Sequence, residues 1–391
     1  MAVPRLRFKG FKDEWEEKKF SDVASFSKGV LLSKEQLSQD GTPCILYGEL
    51  YTKYGEVIND IQSKTKVASQ FLTFGKTNDV LIPSSGETSM DIATASCLQT
   101  DGVALGGDLN IITPHLDNGI FISYQLNNSK RKNIAQIAQG ASVVHLYNES
   151  LKKLTLHFPT LSEQQKIAVF LTLLDRKIAL QRRKIELLND YISGISRMFI
   201  ENFAFSDKNL KINIGQLFAE RLERGEENSE LLSVTMNYGV CRRSDIESKD
   251  NSSDDKSNYK FVHKGDIVYN SMRMWQGANG ISPYDGIVSP AYTIIYPKST
   301  SKQFSIEWIG YLFKTVKMIN EFRKNSQGLT SDTWNLKYPQ ISSIKFSLPP
   351  IKDQICIVEL LKKLDKSLNI HQNQLATLNK YKRFLLQNMF I

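Results

Sequence analysis

Cysteine and histidine are scarce: the 391 residues include four of the first and five of the second. Cys44, Cys97, Cys241 and Cys356 lie far apart and form no CxxC pair, so neither a disulfide framework nor a zinc site is expected. They read as reduced thiols of a cytoplasmic protein. His115, His145, His157, His263 and His371 show no clustered spacing. No apolar run approaches the roughly 18 residues that a membrane span requires. Arg5, Arg7 and Lys9 are not followed by the apolar segment of a secretory signal. The signatures of common chemistry are missing too. There is no GxxxxGK[ST] phosphate loop, GxSxG elbow, HExxH helix or deaminase-type HxE…PCxxC. The only Pro-Pro, Pro349-Pro350, lies between Leu348 and Ile351 and so cannot be the Asn-Pro-Pro-aromatic or Asp-Pro-Pro-aromatic tetrapeptide that holds a flipped base. Gly102, Gly106 and Gly107 precede no helical pattern and read as a turn. Nothing supports a catalytic site, and no metal site is expected.

What is present is an ordinary globular composition, 41% hydrophobic and 23% charged, which excludes a disordered chain. Fifty Lys and Arg against 41 Asp and Glu leave a net charge of +9, which points toward a polyanionic partner without establishing one. The strongest signal is an internal repeat. At a constant offset of 190, Pro159, Gln164, Ile167, Leu171, Leu174, Asp175, Leu188, Asn189 and Tyr191 recur as Pro349, Gln354, Ile357, Leu361, Leu364, Asp365, Leu378, Asn379 and Tyr381. A fainter echo relates Lys76-Thr77-Asn78-Asp79-Val80-Leu81 to His263-Lys264-Gly265-Asp266-Ile267-Val268, Ile111-Ile112-Thr113-Pro114 to Ile294-Ile295-Tyr296-Pro297, and Gly140 to Gly328. So long a period implies duplication of a whole domain-plus-helix unit, not a solenoid.

Each repeat helix follows a proline, where the preceding residue is extended. Ser162 through Gln165 suggests a capping box with Ser162 as N-cap. Apolar residues then alternate at three and four: Ile167, Leu171, Leu174, Ile178, Ile185, Leu188, Ile192, Ile195, Phe199, and in the second copy Ile357, Leu361, Leu364, Leu368, Leu375, Leu378, Leu385, Met389. Over more than four heptads this predicts a coiled-coil seam, with Gln181, His371 and Lys382 as polar interruptions that set register. The two helices are expected to pair with each other in antiparallel sense.

The intervening segments are rich in short β-type runs punctuated by Gly, Asn, Asp and Pro, with helical stretches near 121–137 and 306–322, which predicts mixed α+β domains. Their loops carry recognition chemistry. Asn270 to Gly280 combines Arg273, Trp275, Gln276 and Asn279, and the stretch 327–335 combines Gln327, Thr330, Ser331 and Trp334. Arginine reads guanine O6 and N7, and Asn or Gln reads adenine N6 and N7, each with two hydrogen bonds in the major groove. The counterparts in the first domain are Ser84, Ser85 and Thr88 in one loop and Ser142 in another, and Tyr292 is a further candidate. The same tryptophans and amides serve equally well as packed aromatics and turn caps.

The whole chain resembles the specificity subunits of type I restriction–modification systems. The resemblance rests on Phe158-Pro159-x-Leu161-x-Glu163-Gln164-x-x-Ile167 with Leu174-Asp175, and on Leu348-Pro349-Pro350-Ile351-x-Asp353-Gln354-x-x-Ile357 with Leu364-Asp365. It is reinforced by the opening Pro4 to Trp15 and by Met272 to Gly277 with Ser289-Pro290-Ala291-Tyr292. It implies target recognition domains at 1–157 and 205–347, a central repeat helix at 158–204 and a C-terminal one at 348–391. Each domain would read half of a bipartite double-stranded DNA site, and the coiled coil would set the spacer. Two methyltransferase subunits and two motor-nuclease subunits would dock on the chain in defence against foreign DNA. No cofactor would be bound by this chain; S-adenosylmethionine, ATP and Mg would belong to the partners. The alternative from the residues alone is a coiled-coil scaffold with two protein-binding domains, which leaves the basic charge and the Arg, Asn and Gln loops without a use.

Overall fold

The computed structural model describes residues 3–30, 32–140, 143–226, 228–236, 239–246, 255–298, 304–330 and 333–391. The chain divides into two compact units, one of residues 1–182 with 373–391 and the other of residues 183–372. Two long helices, α1 (Leu161–Ile195) and α2 (Ile351–Met389), each contribute to both units.

In the first unit the main sheet has the strand order Ala24–Lys28, Leu109–Pro114, Val80–Pro83, Ser96–Leu98, Val57–Ile58. The three pairings among the first four strands are antiparallel, and the last is parallel. The central strand Val-Leu-Ile-Pro is buried on both faces, which is why it reads as a continuous apolar run. A second five-stranded sheet contains Thr42–Ile45 and Val103–Leu105. In the second unit the main sheet runs Phe218–Glu220, Tyr292–Pro297, Ile267–Asn270, Asn279–Ile281. That is the order of the first four strands of the first unit's sheet, all antiparallel.

The faint sequence echo corresponds to a repeated strand entrance. Asp79 accepts from the Lys76 backbone N–H (2.8 Å) and from the Thr113 hydroxyl (2.7 Å). Asp266 accepts from the His263 backbone N–H (3.0 Å) and from Arg221 Nε (2.7 Å). The residue before each aspartate is left-handed, Asn78 at φ 81° and Gly265 at φ 97°. Only Gly and, less readily, Asn or Asp adopt that conformation routinely.

The repeated helix starts are docked by their glutamines. Gln164 Nε2 donates to the Pro159 carbonyl (3.0 Å) and to Asp117 Oδ1 (2.7 Å), while its Oε1 accepts from the Asn118 backbone N–H (2.9 Å). Gln354 Nε2 donates to the Pro349 carbonyl (2.7 Å) and its Oε1 accepts from the Ser305 backbone N–H (2.8 Å). Asn118 and Ser305 are themselves the N-caps of corresponding helices, Gly119–Asn127 and Ile306–Leu312. The expected capping box at Ser162 is corrected: α1 begins at Leu161, two residues earlier than that cap requires, and the Thr160 carbonyl accepts the N–H groups of Glu163 and Gln164. Glu163 instead makes a two-pronged pair with Arg7, at 2.6 and 2.7 Å, and is fully buried. Its repeat counterpart Asp353 is exposed.

Within the first unit, Ile167, Leu171, Leu174 and Ile178 of α1 share one core with Leu375, Leu378, Leu385 and Met389 of α2. Gln181 donates to Gln374 (3.0 Å) and Asp175 pairs with Lys382 (2.7 Å), so advancing along one helix retreats along the other. The helices are antiparallel there. Lys382 is held in the seam by Glu56 as well (3.2 Å), and Asp175 accepts from the Tyr124 hydroxyl (2.6 Å). Within the second unit, Ile192 and Ile195 pack in one core with Ile357 and Leu361, while Ile185, Leu188, Leu364 and Leu368 are half-buried. Each fully buried Leu or Ile in these cores contributes about 1.5–3 kcal/mol. Phe199, read from the sequence as the last seam residue of the first copy, is exposed, and Ile200 is buried in its place. A π-helical stretch at Ser196–Glu201 adds residues to the turn and shifts the inward position by one.

Candidate nucleic-acid interface

In the second unit the strand Ile267–Asn270 runs into a loop before returning as Asn279–Ile281. The fully buried Met274 anchors a short 3-10 turn, Met274–Gln276, and Gly277 closes it at φ 84°, which L side chains rarely adopt. That anchoring leaves Met272 and Arg273 exposed, and the Arg273 guanidinium has no hydrogen-bond or ion-pair partner among the described residues. Trp275 meets Trp334 edge to face, centroids 5.2 Å apart, and its indole N–H donates to the Met272 carbonyl (3.0 Å). Arg323 lies over the Trp334 ring at 5.4 Å. The second loop is pinned by paired backbone hydrogen bonds between Gln327 and Asn335 (3.0 and 2.8 Å) and by Leu336 N–H to the Ser271 carbonyl (2.8 Å). Two loops about sixty residues apart in sequence are thus brought side by side. Gln327 and Thr330 are exposed between them, and the Leu329 side chain is fully exposed. The adjoining helix Val316–Asn325 supplies Lys317, Arg323 and Lys324 to a groove that Phe205 also lines, with Lys324 paired to Glu321 (2.6 Å).

The first unit has the same loop plan with different chemistry. Gln139 and His145 exchange backbone hydrogen bonds (2.9 and 2.7 Å), and Leu146 N–H donates to the Ser84 carbonyl (3.0 Å). Thr88 is exposed and caps the short helix Ser89–Ile92, accepting from Asp91 N–H (3.1 Å). Arg131 donates to the Met90 carbonyl (3.1 Å), and Lys28 lies 5.8 Å over the Tyr147 ring, which stacks on His145.

The sequence candidates therefore separate. Arg273, Gln327, Thr330 and Thr88 present side chains to solvent, while Trp275, Gln276 and Trp334 are half-buried at the loop junction. Asn279 is corrected: it is 1% exposed, and its amide donates to the Gly277 carbonyl (3.3 Å), so it braces the loop from within. Ser84 and Ser85 are likewise buried, because the run after Pro83 continues as ladder, Ser85 pairing with His145. Tyr292 is half-buried in strand, and burial pushes its hydroxyl pKa upward. Ser142 and Ser331 lie outside the described residues. Sequence reasoning did not single out Arg323, Lys317 or Lys324, whose only signal was a basic face on an amphipathic helix. Among the described residues no group of three or more His, Cys, Asp and Glu is placed to hold a metal, and no helix is long and apolar enough to cross a membrane.

Comparisons with known proteins bear on this geometry. The chain is 23% identical over 404 residues to a Methanocaldococcus jannaschii protein assigned as the specificity subunit of the type I restriction enzyme MjaX, covering 96% of this chain and 92% of the relative. It is 21% identical over 409 residues to the MjaVIII specificity subunit of the same organism, covering 96% and 91%. The crystal structure of a type I restriction–modification S subunit from M. genitalium superposes with a TM-score of 0.66 at 16% identity, over 100% of this chain and 99% of that one, a likeness of fold. The type I restriction modification DNA specificity domain matches twice, at residues 12–190 and 211–380. Those two matches take in both sheets, both loop pairs and most of both helices, and they make this chain a member of the type I restriction–modification specificity subunit family.

Proposed function

We propose that each unit reads one half of a bipartite double-stranded DNA site, through the loops at 271–278 and 327–335 in the second unit and 84–95 and 139–146 in the first. The observation that carries this reading is the contrast between copies. Strand order, strand entrance and glutamine clamp are repeated, while the loops hung on that frame differ: Arg273, Trp275 and Trp334 in one, Thr88, Met90 and His145 in the other. Two copies under one packing constraint with separate recognition tasks should diverge in this way. Exposed Lys and Arg supply phosphate affinity, and the loops supply choice of sequence. The antiparallel helices set the spacer. Methyltransferase and motor-nuclease subunits dock on the chain and carry the chemistry with S-adenosylmethionine, ATP and Mg, and this chain supplies no catalytic step of its own. The work belongs in the cytoplasm, where those partners and DNA are found.

Methylome sequencing of cells carrying the chain with its partners tests the reading. Arg273→Ala should relax one half-site only, at a cost of about 1–3 kcal/mol for a two-bond base contact. A seven-residue insertion within 180–196 should change the spacer and leave both half-sites intact. Altered half-sites with an unchanged spacer would refute the ruler. Binding that does not weaken between about 50 and 200 mM salt would favour the protein scaffold.

A further inference from the structure

The two recognition loops return to the sheet under a side chain from the same place in the fold. The helices Gly119–Asn127 and Ile306–Leu312 correspond residue by residue. Asn118 and Ser305 cap them, Tyr124 and Tyr311 donate to the repeat aspartates Asp175 and Asp365, and Asn128 and Thr315 close them with N–H bonds to Gln125 and Leu312. On that alignment Asn127 and Lys314 occupy one position, immediately past the last full turn. Asn127 grips the loop exit of its unit with both ends of its amide, Nδ2 to the Ala95 carbonyl (2.7 Å) and Oδ1 from the Ala95 N–H (2.8 Å). Lys314 Nζ donates to the Gly277 carbonyl (2.7 Å) and to the Met236 carbonyl (3.4 Å). Gly277 is the left-handed residue that ends the Arg273 turn, and Ala95 directly precedes the strand Ser96–Leu98.

Asn127 spends both ends of its amide on the loop backbone, and Lys314 makes its shorter bond to the loop at Gly277 and a longer one to the Met236 carbonyl outside it. The chemistry differs because the loops differ. Twelve residues separate the corresponding strands in the first unit and eight in the second. In the second unit the longer lysine side chain spans from the helix end to the Gly277 carbonyl (2.7 Å). From this we infer that Asn127 and Lys314 are positioning residues that fix the exit of each recognition loop and hence the aim of the side chains on it, Arg273 in the second unit. The inference rests on the reading that these loops contact DNA.

The test uses the full chain assembled with its methyltransferase partners, and measures affinity for the cognate duplex against duplexes altered in one half-site at a time. Lys314→Met should lower discrimination at the half-site lost by Arg273→Ala, by about tenfold, the worth of one charge-assisted hydrogen bond. It should leave the other half-site unchanged. Lys314→Arg keeps a donor of similar reach and should restore most of the discrimination, which a merely packed stem would not require. Asn127→Leu should show the mirror pattern. Full discrimination by Lys314→Met while Arg273→Ala loses it overturns the inference alone. An equal loss at both half-sites also overturns it, because the effect is then general to the fold. Unchanged discrimination in Arg273→Ala removes the loop reading beneath it.

Discussion

Arg7→Met offers a sharp test of how the helix start is held, because the duplication supplies its own control. In the native chain the guanidinium makes two hydrogen bonds to Glu163, at 2.6 and 2.7 Å, with the arginine side chain 10% exposed and the glutamate 0%. The methionine substitution leaves a fully buried carboxylate with no counter-ion. Removing one partner of a buried pair costs about 3–5 kcal/mol, and the carboxylate can limit the penalty by taking a proton, so about 3 kcal/mol is expected. For a unit of this size that is a fall in Tm of roughly 6–12 °C. The double variant Arg7→Met, Glu163→Met removes both charges and should recover most of the loss, giving a coupling energy near 3 kcal/mol. Asp353→Ala, at the exposed equivalent of Glu163, should fall within about 0.5 kcal/mol of the native chain. Calorimetry or denaturant unfolding reads these variants, the single Glu163→Met that completes the cycle, and the native chain. The buried Trp15, edge to face on Phe121 and Phe390, reports on the first unit. A single-variant cost under 1 kcal/mol, or a double variant as unstable as the sum of its singles, would refute the reasoning.

Three further outcomes follow from the packing. Gln354→Ala should destabilise the second unit by about 1 kcal/mol or more, since it leaves the half-buried Ser305 N–H without its acceptor; hydrogen exchange at Ser305 should rise while that at Asn118 does not. Alkylation of the native purified chain near pH 8 should modify the exposed Cys356 first. Burial pushes Cys44 up to about 11 and Cys97 up to about 12, so those thiols should react only on unfolding, and prompt labelling of Cys97 would contradict its placement. His157 is shifted below the ordinary imidazole range by burial and by the nearby Lys130 ammonium. The unfolded chain therefore binds more protons than the folded one as pH falls through the unfolded value near 6.5, and folding stability declines there. His157→Gln should flatten that part of the stability–pH curve, and an unchanged slope would exclude the histidine as its source.

The coiled-coil seam was legible because heptad spacing needs only local sequence: Ile167, Leu171, Leu174 and Ile178 are all buried, and Ile357, Leu361, Leu375 and Leu378 join the same two cores. The capping box was misplaced because α1 already starts at Leu161, ahead of Ser162, with its first N–H groups bonded to the Thr160 carbonyl. Phe199 was misplaced because a π-helical turn breaks a periodicity that the residues themselves do not announce. Loop composition marked the regions 271–279 and 327–335 but could not say which side chains face outward. Asn279 and Arg273 look equally suited to reading bases in the sequence, yet one is buried with its amide bonded to the Gly277 and Phe313 carbonyls and the other is exposed.

By itself, then, the sequence determined the duplication, the two helices and their seams, because repeat and periodicity are properties of residue order. Tertiary structure alone decided which loops meet, which candidates face solvent, and that Asn127 and Lys314 occupy one position. Those facts depend on strand pairing and helix docking between residues far apart in the chain, and burial is a property of the assembled core that no single segment carries.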